Sequence, residues 1–294
     1  MTKPLFMGLC TALVTPFRDG KVNETMLEHL LRRQIDAGVE AIVLAGTTGE
    51  SPTLTAEEKL EIFRLGVKIA DGRCKIIAGT GSNATAKALE LSREAAELGV
   101  DGLLVVTPYY NKTTQSGLVK HYTAICDAVE IPVIAYNVPS RTGMGIEVST
   151  CRELAKLPNL AGIKEASGDI SRATKMMDFL PVWSGNDDQT VATMALGGCG
   201  VISVASNVVP AQMSAMVHAA LQGDYPLAAA LQRRLHPLMD ALFSQVNPIP
   251  VKAAMKMIGH DCGECRMPLD ALSEENAQIL RRCLDELGLP LYNN

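Results

Sequence analysis

The chain has no uninterrupted apolar run of about 18 residues, so its sequence offers no transmembrane helix. It also lacks any Lys/Arg-rich block. Lys plus Arg number 27 against 32 Asp plus Glu, a net charge of −5. That balance disfavours nucleic acid and anionic membranes as partners. The N-terminal stretch "MTKPLFMGLCTALVTPFRDG" has neither a positively charged leader region nor a small-residue cleavage site. It reads as a first strand rather than a signal peptide, and the expected location is cytoplasmic.

A second CxxC is missing too. Eight cysteines are scattered, mostly in apolar surroundings, and read as reduced core-filling thiols. Only "HDCGEC" concentrates ligand types, with His260, Cys262 and Cys265 in one loop. A zinc site needs about four ligands, so no metal is expected there.

What the chain does contain is a regular alternation. Eight short apolar runs each end in Gly, Thr, Ser or Asn: "LCTALVTPF", "AIVLAGTT", "KIIAGTG", "GLLVVTPYY", "PVIAYNV", "LAGIKEAS", "PVWSGN" and "GVISVASN". Helical patterns lie between them. "TAEEKLEIFRLGVKIADG" opens with a Thr55 cap and acids in its first turn, with Gly72 as a stop. Near-continuous apolar strands separated by helices argue for a parallel sheet covered by helices. Eight such units predict a (β/α)₈ barrel, with a doubly wound sheet as the fallback. The barrel is expected over residues 1–224. A C-terminal helical appendage is expected over 225–294, with no flexible linker before it.

Active sites on this fold lie where strands end at the C-terminal face. Lys164, inside "LAGIKEAS", is therefore the residue to explain. It could reach water with its ammonium while its stem lies on apolar surface. Alternatively, burial disfavours the ammonium and leaves an amine that forms Schiff bases with carbonyls. Other strand ends carry Thr47 and Thr48, Tyr109 and Tyr110, Tyr136, Gly185, and Ser203 and Ser206.

In "AGTTGESPT", Gly46 and Gly49 permit tight turns whose N–H groups could bind an anion, and the Thr47 and Thr48 hydroxyls add donors. An ordinary Gly/Thr turn reads equally well. A tyrosine of ordinary pKa, about 10, is a poor base at pH 7. Tyr136, hydrogen-bonded to Thr47 and a second tyrosine, could instead pass a proton along a chain. Arg141 suits a bidentate grip on a carboxylate, or is a solvated loop arginine. "GTGSNA" imitates a dinucleotide fingerprint, but Asp101 precedes the next strand rather than ending it, so nucleotide binding is not expected.

Taken together, "AGTTGE", "TPYYNKTTQ", "YNVPSRTG", "GIKEASGD" and "NPIPVKAAMKMIG" resemble the dihydrodipicolinate synthase and N-acetylneuraminate lyase superfamily, from "GLCTALVTPF" to the final helix. The paired threonines and the arginine of "YNVPSRTG" resemble the synthase branch. The resemblance implies that Lys164 forms an imine with pyruvate, held by Thr47 and Thr48, and that the enamine attacks aspartate semialdehyde. It implies a proton relay of Tyr136, Thr47 and Tyr110, with Tyr110 supplied by the neighbouring subunit of a homotetramer. Arg141 would receive the second carboxylate, and Ile202 and Gly185 would contact pyruvate. No cofactor or metal is implied. The rivals are another pyruvate-dependent aldolase, such as a sialic acid lyase, and a non-catalytic carboxylate-binding barrel.

Lysine-inhibited relatives are expected to carry histidines in the helix after "GTTGE" and a glutamate after the "NATA" motif. This chain keeps Ser51, Asn83 and Tyr109, but presents Ala56 and Lys59 at the histidine positions and Lys87 at the glutamate position. Insensitivity to lysine is the expectation.

Overall fold

The computed structural model describes residues 3–292. Eight strands close into a parallel barrel: β1 (Gly8–Ala12), β2 (Ala41–Leu44), β3 (Lys75–Gly79), β4 (Gly102–Val106), β5 (Val133–Asn137), β6 (Leu160–Glu165), β7 (Val182–Ser184) and β8 (Gly200–Ser203). β1 pairs with both β8 and β2, so the sheet has no free edge. This is the expected (β/α)₈ barrel. A two-residue ribbon, Phe17–Arg18 with Lys21–Val22, follows β1.

The helices are α1 (Glu24–Asp36), α2 (Ala56–Ala70), α3 (Thr85–Glu97), α4 (Gln115–Ala128), α5 (Pro139–Thr142), α6 (Val148–Leu154), α7 (Ile170–Met177), α8 (Thr190–Ala195) and α9 (Pro210–Leu221). Then come α10 (Tyr225–Ala241), α11 (Ile249–Met257) and α12 (Glu274–Glu286). Side-chain oxygens cap several N-termini, including Asn23, Thr114, Asp169 and Ser273. Thr55 and Glu58 form a full capping box on α2. That helix stops one residue before the expected glycine: Asp71 already takes a left-handed φ of 47° and Gly72 follows at 73°.

Strand residues alternate between two cores, because successive side chains point to opposite faces. Leu9, Ile42, Ile76, Leu103, Val133, Ile163 and Val201 pack outward against the helices. Cys10, Val43, Ile77, Leu104, Ile134, Tyr136, Trp183 and Ile202 fill the barrel. Phe6 stacks on Trp183 with centroids 4.9 Å apart. The same alternation turns Tyr136 and Lys164 inward and Asn137 and Glu165 outward.

The helices from Tyr225 onward do not stand apart from the barrel. α10 packs along α9 and α8. The segment opening α11 reaches the barrel mouth, as described below. No helix among the described residues is long and apolar enough to cross a membrane.

Candidate active site

Lys164 sits in β6, one residue before its end, and is 5% exposed. In register beside it on β5 is Tyr136. The lysine Nζ lies 4.4 Å from the centroid of the tyrosine ring. The chain leaves no room for a side chain at residue 185, where a Cβ would come within 3.1 Å of Lys164 Cε and 2.5 Å of the Ala166 methyl. Gly185 therefore lets the lysine stem lie against the end of β7. The stem is buried, and the two alternatives differ only in what the Nζ does.

A cavity of about 830 Å³ opens at this end of the barrel, lined by Thr47, Tyr136, Arg141, Tyr109 and the 79–83 loop, among others. It brings together Thr47, Tyr136 and Arg141, three of the candidate residues, from the loop after β2, from β5 and from α5. Lys164, Gly185 and Ile202 do not line it; Lys164 and Ile202 are buried and Gly185 is half-buried. Thr48 is buried and turned aside, its Oγ1 accepting from Asn247 Nδ2 at 2.9 Å. Tyr110 is not drawn in: its ring is 91% exposed in the single chain.

The loop after β2 bends differently from the glycine-based expectation. Ala45 and Glu50 take the left-handed conformation, with φ of 49° and 57°, while Gly46 and Gly49 do not. Gly49 is needed for close approach instead, since a Cβ would stand 3.1 Å from both Leu13 O and Thr15 Oγ1. Two non-glycine residues in a disfavoured region must be held by their surroundings. Glu50 is: its carboxylate accepts from Lys252 Nζ at 2.9 Å and from Arg266 N at 2.8 Å, with side-chain exposures of 0% and 3% for the ion pair. Lys252 also donates to Glu264 O and lies over the Phe17 ring.

Three further polar residues support the strand ends: Asn137 and Glu165, which the sequence marks as strand-end residues without a role, and Asp187, which it does not single out. Glu165 accepts from Asn137 Nδ2 and from Ser167 N, both at 2.7 Å, and so ties the end of β6 to that of β5. Asn137 Oδ1 accepts from Ile146 N. Asp187, fully enclosed after β7, accepts from the Val204 and Ala205 N–H groups at 2.9 Å. Burial pushes its carboxyl above the ordinary range, against those hydrogen bonds and the nearby charge of Lys164. The tandem acids of "NDD" just after a strand were the available signal for Asp187.

The "HDCGEC" loop does not assemble a metal site. Cys262 is buried with its Sγ directed at His260 O, while His260 faces His29 with nitrogens 3.1 Å apart. Among the described residues no group of three or more His, Cys, Asp or Glu is arranged to hold an ion.

A family model described as the dihydrodipicolinate synthetase family matches residues 5–287. The chain belongs to this family. A 4-hydroxy-tetrahydrodipicolinate synthase of Caldicellulosiruptor saccharolyticus is 47% identical over 290 residues, covering 97% of this chain and 98% of the relative. The crystal structure of dihydrodipicolinate synthase from Aquifex aeolicus superposes with a TM-score of 0.96 at 45% identity, covering 98% of this chain and all of that one. The chloride-inhibited dihydrodipicolinate synthase from Acinetobacter baumannii, solved in complex with pyruvate, gives a TM-score of 0.95 at 42% identity over 97% of this chain and 100% of that one. For a dihydrodipicolinate synthetase family member, the buried lysine beside a tyrosine at the barrel mouth is the arrangement to be explained chemically.

Proposed function

We propose that this chain is a 4-hydroxy-tetrahydrodipicolinate synthase, condensing pyruvate with aspartate semialdehyde through an imine on Lys164. The observation that carries the reading is Lys164, buried along its stem with its Nζ over the Tyr136 ring, at the end of the barrel where a cavity opens. An amine at that face is placed for attack on a keto acid that enters from the cavity.

In this reading Lys164 Nζ attacks the keto carbon of pyruvate, and loss of water forms the imine. The Thr47–Thr48 loop holds the pyruvate carboxylate. Loss of a methyl proton gives an enamine, the imine acting as the electron sink. Its terminal carbon bonds to the aldehyde carbon of aspartate semialdehyde, and the resulting alkoxide takes a proton. The amino group of the condensed product then attacks the imine carbon, closing the ring and freeing Lys164. Tyr136 and Thr47 move the protons, with Tyr110 as the outer member of the relay. Arg141 takes the carboxylate of the aldehyde substrate, and Gly185 and the Ile202 backbone border the pyruvate.

Tyr110 is exposed on the single chain, at a left-handed φ of 65°. We infer that it completes the site of a neighbouring copy within a homotetramer. Sedimentation velocity that found a fully active monomer would contradict this.

The deciding experiment is a coupled condensation assay with pyruvate and aspartate semialdehyde, run beside a sialic acid cleavage assay. Turnover in the first and not the second is expected. The reverse result assigns the chain to another aldolase, and no turnover in either overturns catalysis.

A further inference from the structure

The segment that opens α11, "NPIPVK", holds the barrel mouth from outside the barrel. Its first residue touches both carboxylate anchors of the proposed reaction. Asn247 Nδ2 donates to Thr48 Oγ1 at 2.9 Å, and Arg141 Nη2 donates to Asn247 O at 3.0 Å. Its sixth residue, Lys252, pins Glu50 two positions beyond Thr48. Asn247 is 6% exposed, and its Oδ1 is enclosed without a partner. Thr48 is therefore its one side-chain partner among the described residues.

We infer that Asn247 is a positioning residue for both substrates, acting on each by a different atom. Its side chain orients the Thr48 hydroxyl and so the loop that receives the pyruvate carboxylate. Its main-chain carbonyl orients the Arg141 guanidinium that receives the carboxylate of the aldehyde. The inference rests on the reaction proposed above. Coupling the two anchors through one residue keeps the carboxylates apart at a set spacing, which is what aligning the enamine with the aldehyde requires.

The two atoms can be separated by substitution. Asn247→Ala removes the amide and keeps the carbonyl. Losing one neutral hydrogen bond to Thr48 should raise the pyruvate concentration that half-saturates the enzyme by roughly threefold to tenfold. The KM for aspartate semialdehyde should stay within about twofold, because the Arg141 contact is to the main chain. The near-isosteric Asn247→Asp keeps the packing but sets a carboxylate beside the pyruvate carboxylate, and should raise the pyruvate requirement further. In a Thr48→Val background, Asn247→Ala should have no added effect on pyruvate.

The measurement is borohydride trapping of pyruvate on the full-length protein over a range of pyruvate concentrations, with condensation kinetics for both substrates. A pyruvate-selective shift in Asn247→Ala and Asn247→Asp, absent when Thr48 is already Val, is the expected result. Equal shifts for both substrates, additive effects with Thr48→Val, or no shift overturn the inference. If the unsubstituted protein traps no pyruvate, the proposed reaction itself fails and takes this inference with it.

Discussion

Lys164 Nζ lies over the ring of Tyr136, 4.4 Å from its centroid, on adjacent strands paired in register. Two inward-facing residues of neighbouring strands have no freedom to part, because the strands are fixed by the closed barrel. Their outward-facing successors, Asn137 and Glu165, are hydrogen-bonded to each other at 2.7 Å. The proposed nucleophile and proton carrier are thus braced from behind by the next residue of each strand.

Replacing Arg141 with Ala should weaken the aldehyde substrate far more than pyruvate. A charge-assisted contact is worth about 1.5–3 kcal/mol, or roughly tenfold to a hundredfold in kcat/KM for aspartate semialdehyde. Steady-state kinetics with each substrate varied in turn checks this. Unchanged condensation kinetics would remove the main discriminator between the synthase and its aldolase relatives.

Much of this was legible in the chain, and the limits have a physical cause. Strands buried on both faces are continuous apolar runs, so all eight stood out, and a lysine or tyrosine interrupting such a run is conspicuous. Thr47, Tyr136, Lys164 and Arg141 stand out as candidates because each sits at or just after a strand end. Asn247 and Lys252 were not assigned roles, since their partners Thr48 and Glu50 lie 199 and 202 residues away in the chain. No local pattern encodes such a contact. The turn after β2 is obscure for a related reason: its left-handed residues are Ala45 and Glu50 rather than the glycines, and at Glu50 tertiary hydrogen bonds hold that conformation.

The Glu50–Lys252 pair should be sensitive to losing one partner. Lys252→Met leaves the Glu50 carboxylate buried with one backbone donor and is expected to cost about 3–5 kcal/mol. Urea denaturation measures this, and the double variant Glu50→Gln, Lys252→Met should recover part of the loss. A single-variant loss below about 1 kcal/mol would mean that water reaches the pair.

Lysine should not inhibit. Lys59 and Lys87 line the outer part of the same cavity, with Ser51, Asn83 and Tyr109. Glu57, Glu90 and Glu94 share that lining, so the expectation rests on position 87, where a lysine stands in place of an attracting glutamate. Affinity should fall by more than about tenfold relative to a site with a glutamate at 87. Titrating lysine to millimolar concentrations into the condensation assay is expected to leave the rate unchanged. Strong inhibition below one millimolar would show that other residues build the pocket.

Stability should fall as pH drops from about 6.5 to 4. Burial, then the charge of Arg33 and then His29, lower the His260 pKa from 6.5 to about 4. In that window the unfolded chain binds a proton at His260 that the folded chain refuses, so the stabilisation present above pH 6.5 is progressively lost. Partial exposure of the residue keeps the effect small. Urea midpoints at pH 7 and pH 5 should differ less in His260→Gln than in the unsubstituted protein. Identical pH dependence in the two proteins would contradict this.

The most direct test is reduction of the protein with borohydride in the presence of pyruvate, read by intact mass and peptide mapping. The account predicts one reduced pyruvate adduct per chain, on Lys164, and loss of condensation activity in proportion to labelling. No adduct, or an adduct on the exposed Lys112 instead, would contradict the imine mechanism.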